Sequence, residues 1–153
     1  MSGARPPTQT DASRRAPTSE RVLSGLMALA ALSVLTLALG LRPSTDGHGT
    51  HTRLGLPPCG WVVVFHKPCP TCGMTTAFSH AAKGDFLTAL RTQPMGLVLV
   101  VGTATAFWTG AHAAASGARV WPALALFNRR WVYMTLITAF LGAWIYKIIT
   151  WTG

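Results

Sequence analysis

Three apolar stretches, residues 22–41, 95–115 and 131–151, each run for twenty residues or more with at most one Lys, Arg, Asp or Glu among them. At about 1.5 Å of helical rise per residue, each reaches roughly 30 Å, the thickness of a bilayer's hydrocarbon core. The sequence therefore predicts an all-α integral membrane protein. It has three transmembrane helices and a cysteine-bearing interfacial helical loop between the first and second. With 153 residues, 50% of them hydrophobic and 11% charged, the chain is one domain of membrane type. Residues 1–20, rich in Pro, Ser, Thr and Arg, read as a disordered basic tail, and residues 21–153 as the membrane domain. Ala38 and Gly40 would suit a signal-peptide cleavage site, but the apolar run exceeds the usual core of about 7 to 15 residues, which favours an uncleaved anchor.

Charge narrows the function. The acidic residues number four, and only Asp46 and Asp85 lie outside the tail, too few for paired-carboxylate hydrolysis or a phosphate-holding magnesium site. The net charge of +9 is spread along the chain without a basic helix, so it reads as attraction to the lipid bilayer and as a topology signal, and no nucleic acid is expected. Seven basic residues flank the tail side and the loop between the second and third spans, against six on the cysteine-loop side. This places the tail in the cytoplasm and the cysteines outside the cell (inner) membrane, where a disulfide persists.

The cysteine loop spans residues 57–93. An apolar burst, residues 61–65, is too short to cross a bilayer and is expected to dip into the interface or pack on the helices. Met74, Ala77, Phe78 and Ala81 share one helical face; Gly84 ends that helix, Asp85 caps the next, and Pro94 opens the second span. In that span Gly102, Ala106, Gly110 and Ala114 recur every four residues, the stripe that lets membrane helices pack closely within one molecule. Lys147 is expected to snorkel, between the interface anchors Trp131 and Trp151.

Cys59, Cys69 and Cys72 admit three chemistries. Cys69-Pro-Thr-Cys72 at a helix start suits thiol–disulfide exchange, in which Cys69 attacks and Cys72 resolves. The three thiolates with His66 or His80 would suit zinc. A disulfide or packed thiols would simply shape the turn. His48 and His51, three apart in a Gly-rich loop, can bind a metal but read as solvated loop histidines, and His112 is an intramembrane candidate that so near the end of its span reads as reaching the interface. A Cys-His nucleophile lacks an orienting third group.

The run Cys-Pro-Thr-Cys-Gly-Met-Thr, with a Gly-Asp pair eleven residues beyond Gly73, resembles the bacterial membrane-protein family called domain of unknown function 2752. Cys59, Cys69, Pro70, Cys72, Gly73, Thr75, Gly84, Asp85 and Pro94 match its pattern, and Thr76 stands where many members carry Arg. The resemblance implies the architecture and these motif residues; it implies no reaction. The reading is a multi-pass membrane protein whose cysteine loop is a binding or assembly module, shaped by a disulfide or a metal and working with a membrane-protein partner. The alternatives are a membrane thiol–disulfide oxidoreductase and a small accessory subunit of a transport or secretion system.

Overall fold

A computed structural model describes residues 16–120 and 129–151. The first fifteen residues of the expected tail, and Pro122 in the expected connecting loop, lie outside the described residues. The helices are α1 (Thr18–Gly40), α2 (Gly60–Phe65), α3 (Met74–Ala82), α4 (Phe86–Thr92), α5 (Pro94–Ser116) and α6 (Arg130–Ile149), with a short 3-10 turn at Thr50–Leu54. Among the described residues there is no strand, and α1, α5 and α6 are long and apolar enough to cross a membrane. The cysteine loop lies between the first and second of these three. Helix α1 starts at Thr18, so the last residues assigned to the tail are helical.

The packing centre is α1 against α5, and it is built from small residues. Ser24, Ala28, Ala31 and Ala38 are buried on α1, and Gly96, Val100, Gly110 and Ala113 on α5. A Cβ on Gly110 would sit 2.7 Å from the Ser24 carbonyl oxygen, so the backbones touch there and only glycine fits. The predicted stripe holds at one end only: Gly110 and Ala114 face α1, whereas Gly102 has nothing within 4 Å. A repeat of four residues drifts by about 40° per step against a 3.6-residue turn, so a straight helix rotates the stripe out of the contact. That same end of the pair is tied by Arg21, whose Nε and Nη2 donate to the Ala114 carbonyl at 3.1 and 3.0 Å, and by the Ala16 N–H to Gly117 O at 2.8 Å. The outward faces carry large apolar side chains such as Leu29, Trp108 and Ile137, as helices in lipid require.

Helices α3 and α4 form the expected hairpin. Gly84 turns it with φ +85°, and Asp85 Oδ1 accepts from the Thr88 N–H at 3.2 Å. Ala77 and Ala81 are buried, as the spacing predicts, against α5, where a Cβ on Gly96 would meet the Ala77 Cβ at 2.6 Å. Ser79 Oγ donates to the carbonyls of Ala38 (3.1 Å) and Leu41 (2.9 Å), so the hairpin satisfies groups that the end of α1 leaves open. Helix α2 buries none of its residues, so of the two expectations for the apolar burst, packing on the helices is not what occurs.

Helix α6 touches α5 only sparsely and instead fastens onto the cysteine loop. Trp144 Nε1 donates to Pro68 O at 3.1 Å, and the Tyr146 hydroxyl to Arg91 O at 2.9 Å. Lys147 does not snorkel as expected. It is 7% exposed and donates to the carbonyls of Gly47 and Thr92, each at 3.3 Å, because its helix position faces the loop, whose open carbonyls take the ammonium inward.

Candidate functional site in the cysteine loop

The turn between Pro68 and α3 is specified residue by residue. Pro68 is fully buried, and the Cys72 N–H donates to Cys69 O at 3.0 Å, closing the turn. Gly73 has φ +81°, and a Cβ there would lie 2.6 Å from Gly47 O and 3.2 Å from Lys147 Nζ. Both backbone angle and close approach demand glycine at this motif position. Gln93, just before Pro94, is fully buried and donates from Nε2 to Pro70 O at 3.2 Å, which ties the motif to the start of α5.

Thr76 is also fully buried, its hydroxyl 2.8 Å from that of Thr50, which in turn accepts from the Ser44 N–H at 2.9 Å. The Thr50–Leu54 turn packs on α3 at this position.

The three thiols line one cavity of about 480 Å³. Its lining combines polar Thr71, Thr75 and His51 with apolar Leu37, Phe78 and Leu99. A neighbouring cavity of about 330 Å³ is also bordered by Cys59, Cys72 and His51. The sulfurs are unbridged and differ in surroundings. Cys72 is buried, whereas Cys59 and Cys69 are partly exposed. The Cys69 thiol lies near enough to Cys59 to favour its thiolate, and Cys69 Sγ lies 3.3 Å from the Thr71 hydroxyl.

Electrostatics separates them further. Cys59 is the N-cap of α2, and the Val62 N–H foremost, with help from the Cys69 thiol and the Trp61 N–H, holds its thiol below the ordinary value. Burial, reinforced by the neighbouring Cys69, pushes the Cys72 thiol up to about 11. Asp85 is held below the usual carboxylate range by its hydrogen bonds to Thr88, with a smaller contribution from His80.

The histidines proposed as metal ligands go elsewhere. His80 Nδ1 pairs with Asp85 Oδ2 at 3.0 Å, and exposed His66 ends α2 in a left-handed conformation, φ 52°. Neither borders the thiol cavities, and among the described residues no group of three or more His, Cys, Asp or Glu is arranged to hold a metal ion. His51, read from sequence as a solvated loop residue, is the histidine beside the thiols. Spacing pairs it with His48 and gives no signal for a place beside the cysteines, since the turn that carries it is positioned by the Thr50–Thr76 contact.

No curated protein and no solved structure matches the chain. Residues 59–107, which begin at the first cysteine and run through the hairpin into α5, match the model of a family described as protein of unknown function (DUF2752), and it is this family that the chain resembles.

Proposed function

We propose that this is a multi-pass protein of a bacterial cell membrane whose cysteine loop is a binding or assembly module for a membrane-protein partner, with its shape fixed by a disulfide between Cys59 and Cys69. The observation that carries the reading is that Cys59 and Cys69 are neighbouring, partly exposed thiols lining one cavity, whereas Cys72 is buried. Closing a loop of this length is worth about 3 kcal/mol in the chain-entropy account. The clamp would hold α2 and its exposed Trp61, Val63, Val64 and Phe65 in one orientation toward lipid or a partner. The distribution of basic residues supports a cytoplasmic tail and an external loop, where the disulfide would survive.

Peptide mapping of protein isolated without reductant tests the pairing. A linked Cys59–Cys69 peptide with Cys72 as a free thiol is the expected result. A Cys69–Cys72 link, or three free thiols in protein taken from the oxidising side, would contradict it.

The lowered Cys59 thiol favours one second reading, thiol–disulfide exchange, with a different pair of residues from the one that spacing suggests. The Cys59 thiolate attacks one sulfur of a partner disulfide and releases the other as a thiolate. Cys69 then displaces the partner, leaving the Cys59–Cys69 disulfide and a partner dithiol that carries the two protons the chain has lost. This reading requires Cys69→Ser to accumulate a mixed disulfide at Cys59, whereas a purely structural clamp gives none.

A further inference from the structure

The end of α6 meets the loop around a second feature, a cavity of about 220 Å³ bordered by His48, Arg91, Thr92, Lys147 and Trp151. Two basic side chains, Arg91 and Lys147, line it, with Asp46 in the same lining. Asp46 neutralises neither, since the ion pair among the described residues is His80–Asp85. Lys147 is 7% exposed, and its ammonium is held by the Gly47 and Thr92 carbonyls at 3.3 Å and by the Trp151 ring, 5.7 Å to the centroid. An ammonium has three protons, and two long bonds to neutral carbonyls leave one unspent and the buried charge without a counter-ion. The Arg91 guanidinium makes no hydrogen bond among the described residues, although its own carbonyl accepts from Tyr146. His48 packs against Trp151 with ring centroids 4.6 Å apart and the planes tilted by 46°, and it points Nδ1 at Asp46 O, 2.9 Å away, so that nitrogen is the donor and the ring is fixed as a wall.

The cavity lies at the ends of α4 and α6 and at the start of α5, the level at which lipid headgroups meet a membrane protein. We propose that it binds a phosphate group, with Lys147 and Arg91 supplying the charge and the donors. The group is either the headgroup phosphate of an anionic phospholipid or a soluble phosphate, which present the same oxygens to the same two cations.

The full chain in an uncharged detergent tests this with phosphatidylglycerol, phosphatidylcholine and inorganic phosphate as separate probes. Retained lipid is read by native mass spectrometry and protection by the shift in Tm, with chloride at matched ionic strength as the reference. Preference for phosphatidylglycerol over phosphatidylcholine assigns the site to a lipid headgroup, and protection by inorganic phosphate alone assigns it to a soluble ligand. In either case Arg91→Gln is expected to lower affinity about fivefold, the effect of one interfacial cation. Lys147 also fastens α6, so Lys147→Gln can lose binding through the fold, and the exposed Arg91 decides. The proposal is overturned if no probe is preferred over its reference, or if Arg91→Gln binds as the unaltered chain does.

Discussion

Gly73 shows how tightly single residues are constrained here. It takes a positive φ, and the space its side chain would need is held by the Gly47 carbonyl and Lys147. Gly73→Ala is expected to cost roughly 2–4 kcal/mol, the sum of left-handed strain and overpacking, measurable as a lowered denaturation midpoint in detergent. The thiols differ as sharply. With Cys72 held up to about 11 and Cys59 held down, alkylation of the reduced protein near neutral pH should reach Cys59 well before Cys72. Cys72 labelling should climb only as pH approaches its raised value. The sign for stability follows: the burial of neutral Cys72 stabilises below its ordinary value of 9.0, and that contribution is lost as pH rises to about 11. Equal labelling rates for Cys59 and Cys72 in folded, reduced protein would contradict this arrangement.

At the scale of elements, the α1–α5 pair and the α3–α4 hairpin rest on close backbone approach. Gly110→Val, pressed against the Ser24 carbonyl, should destabilise by roughly 1–3 kcal/mol. Gly102→Val, eight residues away with nothing within 4 Å, should leave the denaturation midpoint nearly unchanged. These two glycines look alike in the sequence, because a four-residue repeat does not reveal where it leaves the contact. What was legible is what local chemistry decides: the three spans, the Gly84 stop, the Asp85 cap and the Pro94 start. What was not legible depends on distant partners. The inward turn of Lys147 is set by a carbonyl a hundred residues earlier in the chain, and the place of His51 by the Thr50–Thr76 contact. The Cys-x-x-Cys spacing points to Cys69 and Cys72, whereas the thiol that shares with Cys69 a partly exposed place in the cavity is Cys59, ten positions before it.

For the molecule as a whole, the third span belongs to the cysteine loop more than to the helix pair. Trp144 and Tyr146 hold it there through carbonyls of Pro68 and Arg91. Replacing both by Phe removes two hydrogen bonds, worth roughly 1 kcal/mol each. It should loosen α6 and raise the labelling rate of Cys72 in reduced protein; an unchanged rate would mean that α6 does not cover the loop. The central claim is an external loop closed by Cys59 and Cys69. It is tested most directly on intact cells with a membrane-impermeant thiol reagent, applied with and without prior reduction. Labelling of Cys59 and Cys69 only after reduction, unaffected by Cys72→Ser, is the predicted result. Labelling confined to lysed cells, or of Cys59 and Cys69 at full extent without reduction, would contradict it.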